Sequence, residues 1–219
     1  MRIYEINAGE KDDITFLKGD PDIDANLQKT NPNLRFKEII EFHCSDALNA
    51  MREAKLPLYR GFNYPPSDAF RGASRNKRKT YTPNSIVDEF NESCAISGFK
   101  ANRSNSISCT TSSGAANTFG DLFYLFPQNR FNFIWSTKID DFGSVFGEFR
   151  DPDDLNDAYN IDEDETWVDA FGYTDKNFVA ALQSKNEISV NGTYIAIKVE
   201  TPVFGQENQI TLAKYLGIR

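Results

Sequence analysis

Apolar residues between Phe36 and Ala54 recur at steps of three and four. Ile39, Ile40, Cys44, Ala47, Leu48 and Met51 fall on one stripe, which predicts an amphipathic helix. His43 borders that stripe and reads as a packing residue. Pro57 ends the helical region, and Leu58-Tyr59-Arg60-Gly61-Phe62 predicts a short strand with Arg60 near its end. A second helix is expected after a Ser85 cap, with Ile86, Val87, Phe90 and Cys94 on its buried face and Gly98 as its stop. The stretch from Asn105 to Ser112 is β-branched, small and polar, and alternates like a strand. Ser113 and Gly114 then open a third expected helix, with Ala115, Ala116, Phe119, Leu122, Phe123 and Phe126 facing inward and Pro127 as its end.

Further along, Phe131 to Ile139 predicts a strand, and Asp175 or Asn177 is placed to cap a short helix through Phe178, Val179 and Leu182. Glu187 to Val199 reads as a hairpin, two β-rich arms around an Asn191-Gly192 turn. Residues 1–35 are polar and turn-rich, an irregular lead-in with room for one short strand. Helices come early and strands late, so the expected class is α+β, with residues 36–219 as one domain.

Composition narrows the functional classes. Of 219 residues, 40% are hydrophobic and 18 are Phe, enough to bury a core and to exclude wholesale disorder. No apolar run approaches the roughly 18 residues that a membrane helix needs, so no membrane partner is expected. The N-terminus lacks the pattern of a secretory signal, and the expected location is cytoplasmic. Three cysteines (Cys44, Cys94, Cys109) and a single histidine argue against a disulfide framework and against a Cys/His zinc site. Cysteine hydrolase chemistry at Cys109 would need a nearby base, and His43 sits on the helix stripe instead. Neither GxGxxG nor GxxxxGK[ST] occurs.

The net charge is −8, a field that repels nucleic acid and anionic membranes. Two clusters stand out against that average. Arg71, Arg75, Lys77, Arg78 and Lys79 crowd one predicted loop. Between Glu148 and Glu165 there are nine acidic residues and one basic one, within a stretch, 140–175, that reads as an acidic insert. Asp153, Asp154, Asp157 and Asp162 lack the spacing and central Gly of an EF-hand, so no metal is expected.

Three settings fall in a familiar order: Arg60 in Leu-Tyr-Arg-Gly-Phe, Ser108 in a Ser-x-Ser-Cys-Thr-Thr-Ser strand leading into a helix, and Glu187 opening the hairpin Glu-Ile-Ser-Val-Asn-Gly. This order resembles the Arg–Ser–Glu class of ADP-ribosyltransferases, over roughly residues 36 to 200. The resemblance implies N-terminal helices packed on a mixed, mainly antiparallel split β-sheet that builds a cleft for NAD, the co-substrate. It implies a catalytic Glu187, held against the ribose to stabilise the oxocarbenium-like state formed as the nicotinamide–ribose bond breaks. Arg60 would hold the NAD diphosphate, with Tyr59 and Gly61 beside it. Ser108 and Thr110 would bond the nicotinamide ribose and orient Glu187, and Phe119 would wall the nicotinamide. The family recognises its target through the loop before the catalytic Glu. That loop here is 166–184, with Trp167, Phe171, Tyr173 and Phe178 facing the substrate and Lys185 at its end.

The pattern departs from the family at two places. Members that modify arginine carry a glutamate two residues before the catalytic one, and here that residue is Lys185. Ser108-Cys109-Thr110 stands in place of Ser-Thr-Ser. The expected acceptor is a protein, and a nucleic acid would have to engage loop 71–79. NAD glycohydrolase action on the same scaffold and a non-enzymatic acidic binding protein are the alternatives, and Glu163-Asp164-Glu165 is the rival position for the catalytic carboxylate. With Glu187 lining a surface, Glu187→Ala is expected to leave the fold intact.

Overall fold

A computed structural model describes residues 14–16, 32–74, 82–199 and 212–218 of the chain. In chain order, β1 (Ile14–Phe16) precedes helices α1 (Pro32–His43) and α2 (Ser45–Ala54), then β2 (Tyr59–Phe62), β3 (Ala69–Ser74) and α3 (Asn84–Ile96). β4 (Ile107–Cys109), α4 (Ser113–Asn117), β5 (Asp121–Pro127) and β6 (Asn132–Ser136) follow. Three short helices, α5 (Phe142–Phe146), α6 (Pro152–Tyr159) and α7 (Trp167–Ala170), lead to β7 (Tyr173–Thr174) and α8 (Phe178–Ser184). The last elements are β8 (Ile188–Asn191), β9 (Thr193–Lys198) and α9 (Leu212–Tyr215).

The architecture is α+β, with a five-stranded sheet in the order β1-β3-β9-β5-β2 and a four-stranded sheet in the order β4-β8-β6-β7. All strand pairs among the described residues are antiparallel, so the expected mixed sheet is antiparallel throughout. No helix among them is long and apolar enough to cross a membrane.

Two of the connections between the sheets position the candidate site. The expected hairpin at 187–199 does not close on itself. β8 pairs with β4 and β6, whereas β9 pairs with β3 and β5. Asn191-Gly192 is therefore a corner between sheets, with Gly192 at φ 132, a conformation that a side chain disfavours. Ser74 Oγ accepts from the Gly192 amide at 3.0 Å and fixes the bend. The second connection is a single bridge where the sheet edges meet. The Tyr59 and Thr110 amides each donate to the other's carbonyl, at 2.7 and 3.1 Å.

Other expectations change in detail. The 36–54 stripe is buried as read, but it is two helices, broken at Cys44 (φ −126, ψ 25). The third helix stops at Asn117, and Asp121–Pro127 is a strand of the larger sheet. A run buried on both faces has no polar side to report its period, so Leu122 to Phe126 reads equally well as helix or strand. The lead-in supplies β1, and α1 begins at Pro32, inside it. Arg71 belongs to β3, while Arg75, Lys77, Arg78 and Lys79 lie outside the described residues.

The core has two parts. The larger joins α1, α2, α8 and α9 to the five-stranded sheet, with Ile40, Leu48, Phe62, Phe123 and Tyr194 fully buried. The smaller lies under residues 140–171, where Phe142, Phe146, Leu155, Trp167, Val168 and Phe171 pack on Ile86, Phe90 and Cys94 of α3. The acidic stretch is thus a packed unit rather than a solvated insert.

Candidate functional site

Arg60, Ser108 and Glu187 come together where the edges of the two sheets meet. Along β2 side chains alternate, so buried Tyr59 and half-buried Arg60 point to opposite faces. Arg60 reaches across the seam, and its Nη1 donates to the Ser108 carbonyl at 2.7 Å. Its Nε is buried without a hydrogen-bond partner. On the next sheet Ser108 stands opposite Ser189 in the β4–β8 register. Glu187, two residues before Ser189, projects on that same face, and the Ser108 hydroxyl bonds its carboxylate.

The carboxylate is held from three directions. Arg103 Nη1 donates to Glu187 Oε1 at 2.5 Å and also to Ser108 Oγ at 3.0 Å. The Phe142 amide, at the start of α5, donates to Oε2 at 2.9 Å. The Glu187 amide in turn donates to the Asp140 carbonyl at 2.7 Å. The Arg103 and Glu187 side chains are only 8% and 14% exposed, so this is a buried ion pair. The Arg103 guanidinium lies over the Phe142 ring, 4.3 Å from its centroid.

Burial alone would raise the pKa of Glu187. The Arg103 charge and the hydrogen bonds from Ser108, Arg103 and the Phe142 amide outweigh it and bring the group down to about 2. Burial would lower Arg103, and the Glu187 charge more than offsets that, so the guanidinium stays charged. Asp141, which caps α5 through a bond from the Ser144 amide, is shifted up by partial burial and by the Glu187 charge. Burial and then Glu187 push the Tyr173 phenol well above its ordinary value. The site therefore holds a fixed, ionised carboxylate next to a second, more basic one.

The remaining expected residues divide. Phe119 is 55% exposed and lies beside Arg60, whose guanidinium is 5.7 Å from its ring centroid. That position corrects the inward face expected for it. Tyr59 stacks on Tyr124 in the core and is buried, so it is not placed to meet a ligand beside Arg60. Gly61 is a packing position, because a Cβ there would meet the Ala116 carbonyl oxygen at 2.1 Å. Thr110 Oγ1 donates to the Lys185 carbonyl at 3.4 Å and accepts from the Ser112 amide, which holds the Lys185 turn against β4.

In the expected recognition loop, Trp167 and Phe171 are buried in the smaller core and face no substrate. Tyr173 packs on Phe90, and Phe178 packs on Phe131 and Phe133. Lys185 is exposed, in a left-handed conformation at the end of α8. Glu163, Asp164 and Glu165 line a separate acidic groove with Glu89, Glu92 and Asp162. Glu187 is no free surface group either. The side chain is 14% exposed and paired with buried Arg103, so the premise that Glu187 lines a surface is corrected, and Glu187→Ala would strand the Arg103 charge.

Arg103 is the residue that sequence reasoning missed. It lies in the Asn102-Arg103-Ser104-Asn105 stretch just before β4, a run of turn formers with one cation. Burial keeps the Cys44 and Cys94 thiols protonated, Cys94 being pushed up to about 12, which leaves no thiolate there for nucleophilic work. Among the described residues no group of three or more His, Cys, Asp and Glu side chains gathers as a metal site.

No protein-family model, curated protein or solved structure matches the chain.

Proposed function

We propose that this chain cleaves the nicotinamide–ribose bond of NAD and transfers ADP-ribose to a macromolecular acceptor, on a split-sheet scaffold of the ADP-ribosyltransferase type. The observation that carries the reading is the convergence at one seam of Arg60 from β2, Ser108 from β4 and Glu187 from the start of β8. Residues 48 and 79 positions apart in the chain have no local reason to meet.

The chemistry follows from the charges. As nicotinamide leaves, positive charge builds on the ribose. The fixed Glu187 carboxylate stabilises it without having to reorganise. Ser108 bonds a ribose hydroxyl and keeps the carboxylate aligned. Arg60 is half-buried and spends one Nη1 hydrogen on the Ser108 carbonyl, so its other Nη hydrogens are the donors it would offer the diphosphate. The Phe119 ring offers the nicotinamide a stacking face beside Arg60. A protein is the acceptor proposed, and the exposed Lys185 stands where an arginine-directed enzyme has a second glutamate.

The test is incubation of the purified protein with adenylate-labelled NAD and a bacterial lysate, against Glu187→Gln, which preserves shape. Label entering protein, reduced about 100-fold or more in the variant, is the expected result. Nicotinamide release without labelling would make the protein a glycohydrolase. NAD left intact by the wild type would overturn the reading in favour of a binding protein.

A further inference from the structure

We propose that Arg103 is the positioning residue of this site, the group that fixes the Glu187 carboxylate beside the Ser108 hydroxyl in the orientation that a ribose cation requires. The inference rests on the reading of the site as NAD-cleaving, and it concerns a residue outside the Arg–Ser–Glu pattern. One guanidinium nitrogen, Nη1, bonds both Ser108 Oγ and Glu187 Oε1, so two of the three converging residues are referenced to a single atom.

Arg103 is itself unusually well fixed. Its amide donates to Asn91 Oδ1 of α3 at 3.0 Å, and the Asn91 amide group bonds Ser104 Oγ at 2.6 Å. Asn102 Oδ1 accepts from the Ser104 and Asn105 amides, while Asn105 Oδ1 accepts from the Asn102 amide, so the turn is closed on both sides of Arg103. The Asn105 carbonyl is tied to Asn191, next to the inter-sheet corner. The guanidinium then lies over the ring of Phe142, whose own amide holds the other oxygen of Glu187. Sequence-distant elements thus converge on one orientation of one carboxylate.

The arrangement positions the carboxylate without using it up. An ionised carboxylate offers about four acceptor sites. Arg103, Ser108 and the Phe142 amide occupy three of them, which leaves one for a sugar hydroxyl. The charged and titratable groups that face Glu187 are Arg103 from the turn before β4, Asp141 from the turn before α5 and Tyr173 from β7, with the Cys94 thiol of α3 behind Tyr173. Among the described residues Arg103 is the cation bonded to Glu187, while Arg60 of β2 bonds the Ser108 carbonyl. Without Arg103, burial and the like charge of Asp141 both drive Glu187 towards its protonated form.

The experiment compares wild type, Arg103→Met and Arg103→Lys in two ways: NAD-cleavage kinetics as a function of pH, and carboxyl 13C NMR of glutamate-labelled protein, with Glu187→Gln assigning the resonance. In Arg103→Met, kcat is expected to fall about 100-fold. KM should change by less than about threefold. The Glu187 titration should move above the ordinary 4.5, with the acid limb of the rate profile following it upward. Arg103→Lys, which restores the charge but not the fork, should recover roughly tenfold of the loss. A retained kcat, or a loss carried by KM alone, would overturn the inference, as would a Glu187 titration that does not move. If Arg103→Met fails to fold, Arg103→Lys decides on the same criteria, with a kcat equal to wild type sinking the proposal. Failure of the underlying reading is separable, because it appears in the wild type as absence of nicotinamide release before any variant is compared.

Discussion

The two cores of this protein bury aromatic side chains by different means. Around the five-stranded sheet, residues from strands and from the α1–α2 stripe interlock, and backbone ladders satisfy the polar groups. Under residues 140–171 ladders are scarce. Helices of four to eight residues are fixed instead by ring contacts: Phe142 stacks on Phe146 at 4.2 Å, and Phe146 meets Phe90, Trp167 and Phe171. Their amide ends are satisfied by Asp141, Asp151 and Thr166, each the N-cap of one helix. Members of the acidic stretch thus serve as caps, and its aromatics serve as core. The candidate site lies between the two systems, since Arg60 comes from the large sheet and the Phe142 amide from the aromatic unit.

Phe146→Ala separates the two cores most directly. The side chain is fully buried among four rings, and its removal should cost about 4 kcal/mol. If the aromatic unit is the separable one, hydrogen exchange will accelerate over residues 142–171 and not along β9. Uniform acceleration would mean that the two cores unfold as one. Glu187→Ala comes next, at about 3 kcal/mol in chemical denaturation, because it leaves Arg103 buried and uncompensated. The double variant Glu187→Gln/Arg103→Met should recover most of that loss, and a double variant as weak as the single one would contradict the pairing.

The same pair predicts an acid dependence. Glu187 is depressed to about 2 in the folded protein against an ordinary 4.5, so the folded state resists protonation where the unfolded chain accepts it. Its stabilisation is complete above about 5 and is lost as pH falls towards 2. The melting temperature should therefore drop across that window, and drop less steeply in the double variant. Equal slopes would assign acid lability to other carboxylates.

Legibility from sequence followed the same division. The buried positions of α1, α2 and α3 were readable because each has a polar face opposite to the apolar one, which exposes the period. β5 was misread because neither face is polar, and the β8–β9 corner was misread because Asn-Gly between β-rich arms is the local signature of a hairpin. Only the pairing partners, which are non-local, distinguish a corner from a hairpin. Of the site, Arg60, Ser108 and Glu187 were legible through their order in the chain. Arg103 was not, since a cation in an Asn-rich turn carries no sign of burial until the facing carboxylate is known. Composition misled most in residues 140–175, where counting acids obscured the spacing of Phe142, Phe146, Trp167 and Phe171 among them.

Smaller effects sharpen the boundary between the two systems. Gly61→Ala places a Cβ against the Ala116 carbonyl and should cost roughly 1–3 kcal/mol, displacing α4 and with it the loop that carries Phe119. The smallest expected effect concerns Asp151. Its side chain accepts from the Asp153 amide, with Pro152 at the first helical position, so the carboxylate closes the start of α6. Asp151→Ala should cost about 1 kcal/mol and Asp151→Asn far less, because an amide oxygen caps as well as a carboxylate does. An acidic stretch present only for its charge would erase that ranking. Asp151→Asn would then matter as much as Asp151→Ala, and both effects would fade at high salt, whereas a cap bond at 2.9 Å survives it.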